Sequence, residues 1–424
     1  MIPETQKGNS EWIRDWFFPI VSLIKWILLA VLIGGIVGII GSIFAHVLSG
    51  ATKIRGQLPF LFYLLPVSGI IIVFLYDKWG KKDKGTNQVL SAVKMEDEVP
   101  FATAPLIFIG TALTHLTGGS AGREGAALQL GGSIANQLAR WLRLDKEDTS
   151  VLVMCGMSAA FAALFGTPLA AAVFSLEVVN VGMIYYSGLL PCMLSALTAA
   201  KISGALGVHA EAFAVSGITD LTISTAAKTG VLTFLCVIAG ILFCMILNSV
   251  GDFYGKWLKN KYLRIIAASL GIMIITLFLG TTDYMGSGAE LIIGAVEESA
   301  ARPLDFFWKI LLTALTMKAG FKGGEIVPSL CIGATLGCVL GQMMNFSPSV
   351  AAACGMVAVF CTVTNCPLSA LLIAFELFGF EGVSFYLIAV AISFGASGYY
   401  SLYKVQTFHF GKEKAKVIKR KAKV

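Results

Sequence analysis

One short pattern stands in both halves of this chain. Gly119-Ser120-Ala121-Gly122-Arg123-Glu124-Gly125-Ala126 returns in altered form as Gly320-Phe321-Lys322-Gly323-Gly324-Glu325-Ile326-Val327-Pro328. Each copy reads G-x-x-G-x-E and opens a hydrophobic helix. The correspondence continues by count. Gly156-Met157, Pro168-Leu169 and Glu177 are matched by Gly355-Met356, Pro367-Leu368 and Glu376, with steps of 12 and 9 residues in both copies. Chance gives no such agreement, so the chain is two homologous halves packed about a pseudo-two-fold axis. A glycine-rich break carrying a carboxylate at membrane depth, present twice, places an ion site between the halves.

Composition sets the solvent. The chain is 56% hydrophobic and 13% charged, against about 25% charged in soluble domains. Apolar runs long enough to span a bilayer recur along the whole length, which predicts an all-α polytopic membrane protein with broken and tilted helices. The expected organisation is a polar N-terminal segment (1–16), a first membrane half (17–207), an inter-repeat loop (208–225), a second membrane half (226–405) and a basic tail (406–424). Residues 1–15 lack the layout of a cleaved signal peptide. The runs predict a span over Phe17–Leu48, a loop over Thr52–Gln57 and a second span over Leu58–Tyr76. Val151–Leu164 and Pro168–Val181, divided by Gly166-Thr167-Pro168, read as half-helices too short to cross a hydrocarbon core of ~30 Å.

Net charge is +7, and the tail from Lys412 to Val424, with seven cations against Glu413, accounts for most of it. This run and the basic loop Asp77–Lys84 read as cytoplasmic by the positive-inside rule, placing both termini inside; binding of nucleic acid is not expected. The nine cysteines lie in apolar segments without a C-x-x-C and read as small hydrophobes. His46, His115, His209 and His409 make no metal-ligand spacing, so neither metal nor cofactor is expected. No nucleophile–base pair marks an enzyme.

A carboxylate in the membrane costs about 2.5 kcal/mol or more, so Glu124 needs a partner or a task. Two readings are open. Glu124 caps its helix or pairs with Arg123; or it occupies an anion site made of helix N-termini, fills it as carboxylate and vacates it when protonated, linking proton to anion. In the second reading Arg123 and the N–H groups after Gly122 and Gly125 supply positive potential, and the glycines let backbone approach the ion. Lys322 adds to that potential or snorkels to an interface. Gly85-Thr86-Asn87 reads as a helix start with free N–H groups.

Gly122-Arg123-Glu124-Gly125, the Gly-x-x-x-Pro of Gly324–Pro328 and the Pro-Leu repeats resemble the CLC family of anion channels and proton-coupled antiporters, over roughly Phe17 to Lys404. The resemblance implies a homodimer in the bilayer with one pore per subunit, two inverted halves in each, and Glu124 as the external gating glutamate. Soluble nucleotide-binding CBS domains are not expected here. Three departures bear on substrate. Gly85-Thr86-Asn87-Gln88 stands where chloride-type members have Gly-Ser-Gly-Ile-Pro. Ile326 replaces the phenylalanine of Gly-x-Phe-x-Pro, with Glu325 before it. Glu177-Val178 lacks the second glutamate of a relay pair. These resemble the bacterial fluoride/proton antiporter branch, although Val327 stands where a threonine is common. A fluoride site needs strong donors, which points to Thr86, Asn87 and a protonated Glu325; a helix cap is the other reading of Glu325. The resemblance also implies a tyrosine hydroxyl on the anion, matched best by Tyr400 and next by Tyr403. The expected function is fluoride/proton exchange across a bacterial plasma membrane, with chloride/proton exchange or a passive anion channel as alternatives.

Overall fold

The computed structural model describes residues 5–80, 83–413 and 416–423, with side chains in the first helix from residue 19 onward. Residues 1–4 of the N-terminal segment, Lys81 and Lys82 of the basic loop, and Lys414 and Val424 of the tail lie outside the described residues. Among the described residues sixteen α-helices form, eight in each half. The first half holds α1 (Thr5–Gln57), α2 (Leu65–Trp79), α3 (Thr86–Val93), α4 (Thr103–Leu116), α5 (Glu124–Trp141), α6 (Lys146–Phe165), α7 (Pro168–Glu177) and α8 (Leu189–Ala205). The second repeats the series as α9 (Ile223–Trp257), α10 (Lys261–Leu279), α11 (Ala289–Val296), α12 (Asp305–Ala319), α13 (Ile326–Met343), α14 (Pro348–Thr364), α15 (Pro367–Phe378) and α16 (Val383–Ala396). Seven helices among the described residues are long and apolar enough to cross a membrane.

Matching sequence signals make matching helix ends. The side chains of Asp145 and Ser347 cap α6 and α14 by accepting from Asp148 N and Val350 N at 2.8 and 3.3 Å. Both helices stop at a residue in the left-handed region, Gly166 (φ 75°) and Asn365 (φ 57°). A proline then starts α7 and α15, where its missing N–H costs nothing. Two expectations change. The predicted Thr52–Gln57 loop continues α1 without a break. The predicted half-helix Val151–Leu164 is the inner part of α6, which is long enough to span because Lys146–Ser150 form its polar first turn.

At the centre, α5 crosses α6 and α13 crosses α14 with backbones touching. A Cβ on Gly131 would lie 2.1 Å from the carbonyl oxygen of Gly156, and one on Gly355 would lie 2.1 Å from that of Gly333. Small residues at such crossings replace the hydrophobic drive that lipid removes. All nine cysteines are buried and free, packed as apolar side chains.

The repeated glutamates tie the halves together. The Glu177 carboxylate accepts from Leu368 N at 3.1 Å, Ser369 N at 2.9 Å and Ser369 Oγ at 2.6 Å, capping α15. Glu376 returns the contact, accepting from Leu169 N at 3.0 Å and Ala170 N at 2.8 Å at the start of α7. Glu177 is buried and Glu376 half-buried. Losing a cap costs about 1 kcal/mol, and stranding buried donors about 1–3 kcal/mol more. Glu177→Ala should therefore lower the thermal unfolding midpoint in detergent more than Glu376→Ala does. Equal midpoints for both variants and the wild type would deny the caps any weight.

The basic tail is built into the body. β1 (Asn180–Val181) pairs in parallel with β2 (Thr407–Phe410), which pairs antiparallel with β3 (Val417–Lys421). Lys412 Nζ donates to Asn365 Oδ1 at 2.5 Å and Ser397 Oγ at 2.7 Å, at the C-terminal ends of α14 and α16. Burial pushes its ammonium down to about 8.

Candidate functional site

The two glycine loops meet. Gly122 N donates to Gly324 O at 2.8 Å, and Gly324 N donates to Gly122 O at 2.9 Å. An antiparallel bridge is what a two-fold axis requires of two copies of one loop. A Cβ on Gly324 would lie 2.4 Å from Gly125 N, so only glycine lets the loops close. Glu124 is the first residue of α5, and Glu325 is the N-cap of α13. First-turn N–H groups have no intrahelical acceptor, and two such helix starts aimed at one place make it positive.

Glu124 has no exposed surface. Its Oε2 accepts from Arg123 N at 3.1 Å and its Oε1 from Arg123 Nε at 3.4 Å. Arg123 is more constrained than its sequence position suggests. Its Nη2 donates to Leu164 O at 3.1 Å and also to the Glu211 carboxylate. These groups sit beside a cavity of about 350 Å³ lined by Ser49, Thr52, Lys53, His115, Arg123 and Glu211.

A second cavity, of about 370 Å³, lies on the face that carries the C-terminal hairpin. Gly85, Thr86, Asn87, Gln129, Glu325 and Tyr403 line it together with the charged Asp83, Lys84, Lys318 and Lys322. Thr86 Oγ1 donates to Gly125 O at 3.5 Å and accepts from Gln129 Nε2 at 3.1 Å, tying the start of α3 to the start of α5. Asn87 Oδ1 accepts from Val405 N at 3.3 Å, leaving its amide NH₂ as a donor. Lys322 is paired with Asp83 at 3.1 Å and lies 3.7 Å from the Tyr76 ring centroid. The side chains of Ile326 and Val327 are buried in the core, and neither residue lines the cavity.

The two candidate tyrosines lie in different places. Tyr400 makes a bridge with Lys423 and is absent from the cavity wall; its ring faces the Lys423 ammonium. Tyr403 is buried and lines the cavity with Glu325. The backbone decides between them. Leu402 N donates to Val363 O at 2.9 Å and Tyr403 N to Ser401 Oγ at 3.1 Å, which turns Tyr403 inward.

Two charged residues escaped the sequence reading. Glu211 stands in a polar connector with no pattern around it. Lys309, fully buried in α12, donates to Ser120 Oγ at 3.1 Å, Tyr284 O at 3.0 Å and Gly286 O at 2.8 Å. It fixes the loop that precedes Gly122. A lone lysine inside an apolar run was the available signal.

The comparisons with known proteins agree with this geometry. The family model described as voltage gated chloride channel matches residues 68–398. A chloride/fluoride channel protein of Pseudomonas syringae pv. tomato is 34% identical over 390 residues, covering 90% of this chain and 86% of that one. The crystal structure of a CLC-type fluoride/proton antiporter superposes with a TM-score of 0.88 at 34% identity, covering 91% of this chain and 98% of that one. A slow cyanobacterial Cl⁻/H⁺ antiporter shares the fold at 18% identity, with a TM-score of 0.77 over 88% of this chain and 94% of that one. With a family model matched over most of its length and a full-length relative at 34% identity, the chain belongs to the CLC family of voltage-gated chloride channel proteins.

Proposed function

We propose that this protein exchanges fluoride for protons across a bacterial plasma membrane, exporting fluoride as protons enter. The observation that carries the reading is the pair of carboxylates at facing helix starts, one sealed and one opening on a donor-lined cavity. As a carboxylate, Glu124 takes the place of an anion at the α5 start. Protonation removes its charge, the side chain leaves, and an anion enters. Proton and anion thereby bias each other's occupancy. Fluoride gives up its water only to short, strong hydrogen bonds. The Thr86 hydroxyl, the Asn87 amide, the Tyr403 hydroxyl and a protonated Glu325 are donors of that kind around one cavity. The relative named as a chloride/fluoride channel protein and the solved fluoride/proton antiporter support fluoride as the substrate.

The hairpin face is cytoplasmic in this reading, with both termini inside, and the protein works as a homodimer. Residues 17–207 and 226–405 act as two half-repeats around the shared site. The test is flux from liposomes loaded with fluoride. Purified protein should release fluoride and drive proton uptake against no imposed proton gradient. Chloride efflux as fast as fluoride would replace fluoride by chloride as substrate. Fluoride efflux without proton uptake would make the protein a channel.

A further inference from the structure

Glu124 touches no solvent, yet exchange requires it to gain and lose a proton. The cavity opposite the hairpin face is lined by Arg123 and Glu211, not by Glu124. Glu211 comes from the connector between α8 and α9, and that connector is strapped in place. Glu211 N donates to Phe165 O at 3.1 Å, Phe213 N to Leu377 O at 2.9 Å, Ala214 N to Glu297 Oε1 at 3.1 Å and Ser216 N to Ser349 Oγ at 3.0 Å. Its side chain therefore has a fixed address, 24% exposed to the cavity.

The Glu211 carboxylate takes Nη2 of Arg123, while Nε of the same guanidinium reaches Glu124 Oε1 at 3.4 Å. Nε and Nη2 are bonded to one carbon, so the two carboxylates stand side by side on one cation. The trio carries one negative charge too many, and a single proton balances it. Arg123 cannot provide that proton, because a guanidinium does not deprotonate in proteins. The other charged or titratable groups facing the cavity are Lys53 from α1 and His115 from α4. Arg55, also from α1, donates to the His115 carbonyl at 2.5 Å. Glu211 is the only carboxylate on the cavity wall among the described residues.

We propose that Glu211 is the proton-relay residue between this cavity and Glu124, with Arg123 as the cation that holds both carboxylates; the proposal rests on the fluoride/proton exchange reading. Hydronium in the cavity protonates Glu211. The Glu211 O–H bond then breaks as an O–H bond forms on Glu124. Glu211 returns to carboxylate and stays on Arg123, while neutral Glu124 is released from the α5 start. One carboxylate remains negative throughout, so the half-buried Arg123 is never left without a counter-ion, an expensive state.

The test is fluoride-driven proton uptake in liposomes, with pH equal on both sides and stepped from 5 to 8. For Glu211→Gln the deficit against wild type should grow from about tenfold at pH 5 to about a hundredfold at pH 8, the low end of what a lost proton-transfer group costs. Glu211→Asp keeps a titratable carboxyl and should recover most of the alkaline rate. A Gln deficit that is the same at every pH would show a structural role and overturn the relay. A Gln profile identical to wild type would overturn it as well. Wild-type fluoride flux without proton uptake would instead overturn the exchange reading, and the relay with it.

Discussion

Glu124→Gln should leave fluoride crossing the membrane while fluoride-driven proton uptake falls by about a hundredfold or more, the scale of a lost general acid–base group. The amide nearly matches the carboxylate in size, so the fully buried position can accept it. It cannot take up and release a proton, and it is a weaker occupant of a helix start than an anion. The site should therefore be open to fluoride at every pH. The measurement is paired recording of fluoride efflux and proton uptake from the same liposomes. Uphill proton movement by the Gln variant would remove Glu124 from the coupling mechanism.

The second large effect is expected at Gly324. An added Cβ would lie 2.4 Å from Gly125 N and 2.9 Å from Gly125 Cα, both backbone atoms of the first turn of α5. Backbone cannot swing aside as a long side chain does, so Gly324→Ala must part the two loops and stretch the Gly122–Gly324 hydrogen bonds. Overpacking of this kind costs about 1–3 kcal/mol. The functional loss should be larger, because a displacement of about 1 Å at a reacting site is worth about a hundredfold in rate. Gly395→Ala is the matched control, since open space surrounds that position. Fluoride efflux by Gly324→Ala at the wild-type rate would mean that the loops need not touch for transport.

Much of the fold was legible because the repeat uses the same residue types at the same steps. Gly-Met, Pro-Leu and Glu mark helices α6, α7, α14 and α15 correctly, and both G-x-x-G-x-E loops open helices where the pattern put them. What stayed hidden depends on partners distant in the chain. Glu177 was visible as a repeated residue, but its task as a cap was not, since Ser369 is 192 residues away. Tyr400 and Tyr403 are three positions apart in one aromatic stretch. Backbone bonds to Val363 and Ser401 decide which of them faces the cavity, and no local pattern encodes that. The lysine run at the C-terminus masked a strand pair whose outside partner, Asn180–Val181, lies more than two hundred residues earlier. At α6, the charged first turn Lys146–Ser150 disguised a spanning helix as a shorter one. Glu211 had no signature at all. Its importance comes from one guanidinium that the fold delivers to it.

The exchanged caps between α7 and α15 bear on how such a chain could arise. Each half carries a short helix whose first free N–H groups are taken by a glutamate of the other half. Neither half is chemically finished alone. A single ancestral half, inserted in the membrane in both orientations, would need no new residue to finish the job. One gene product would supply both glutamates and both glycine loops, and two copies would close on each other as the halves do now. Fusion of duplicated genes then joins what was already a pair. Once the gene is duplicated the copies can differ, letting one loop keep Arg123 while the other acquires Lys322 and the cavity that Glu325 faces.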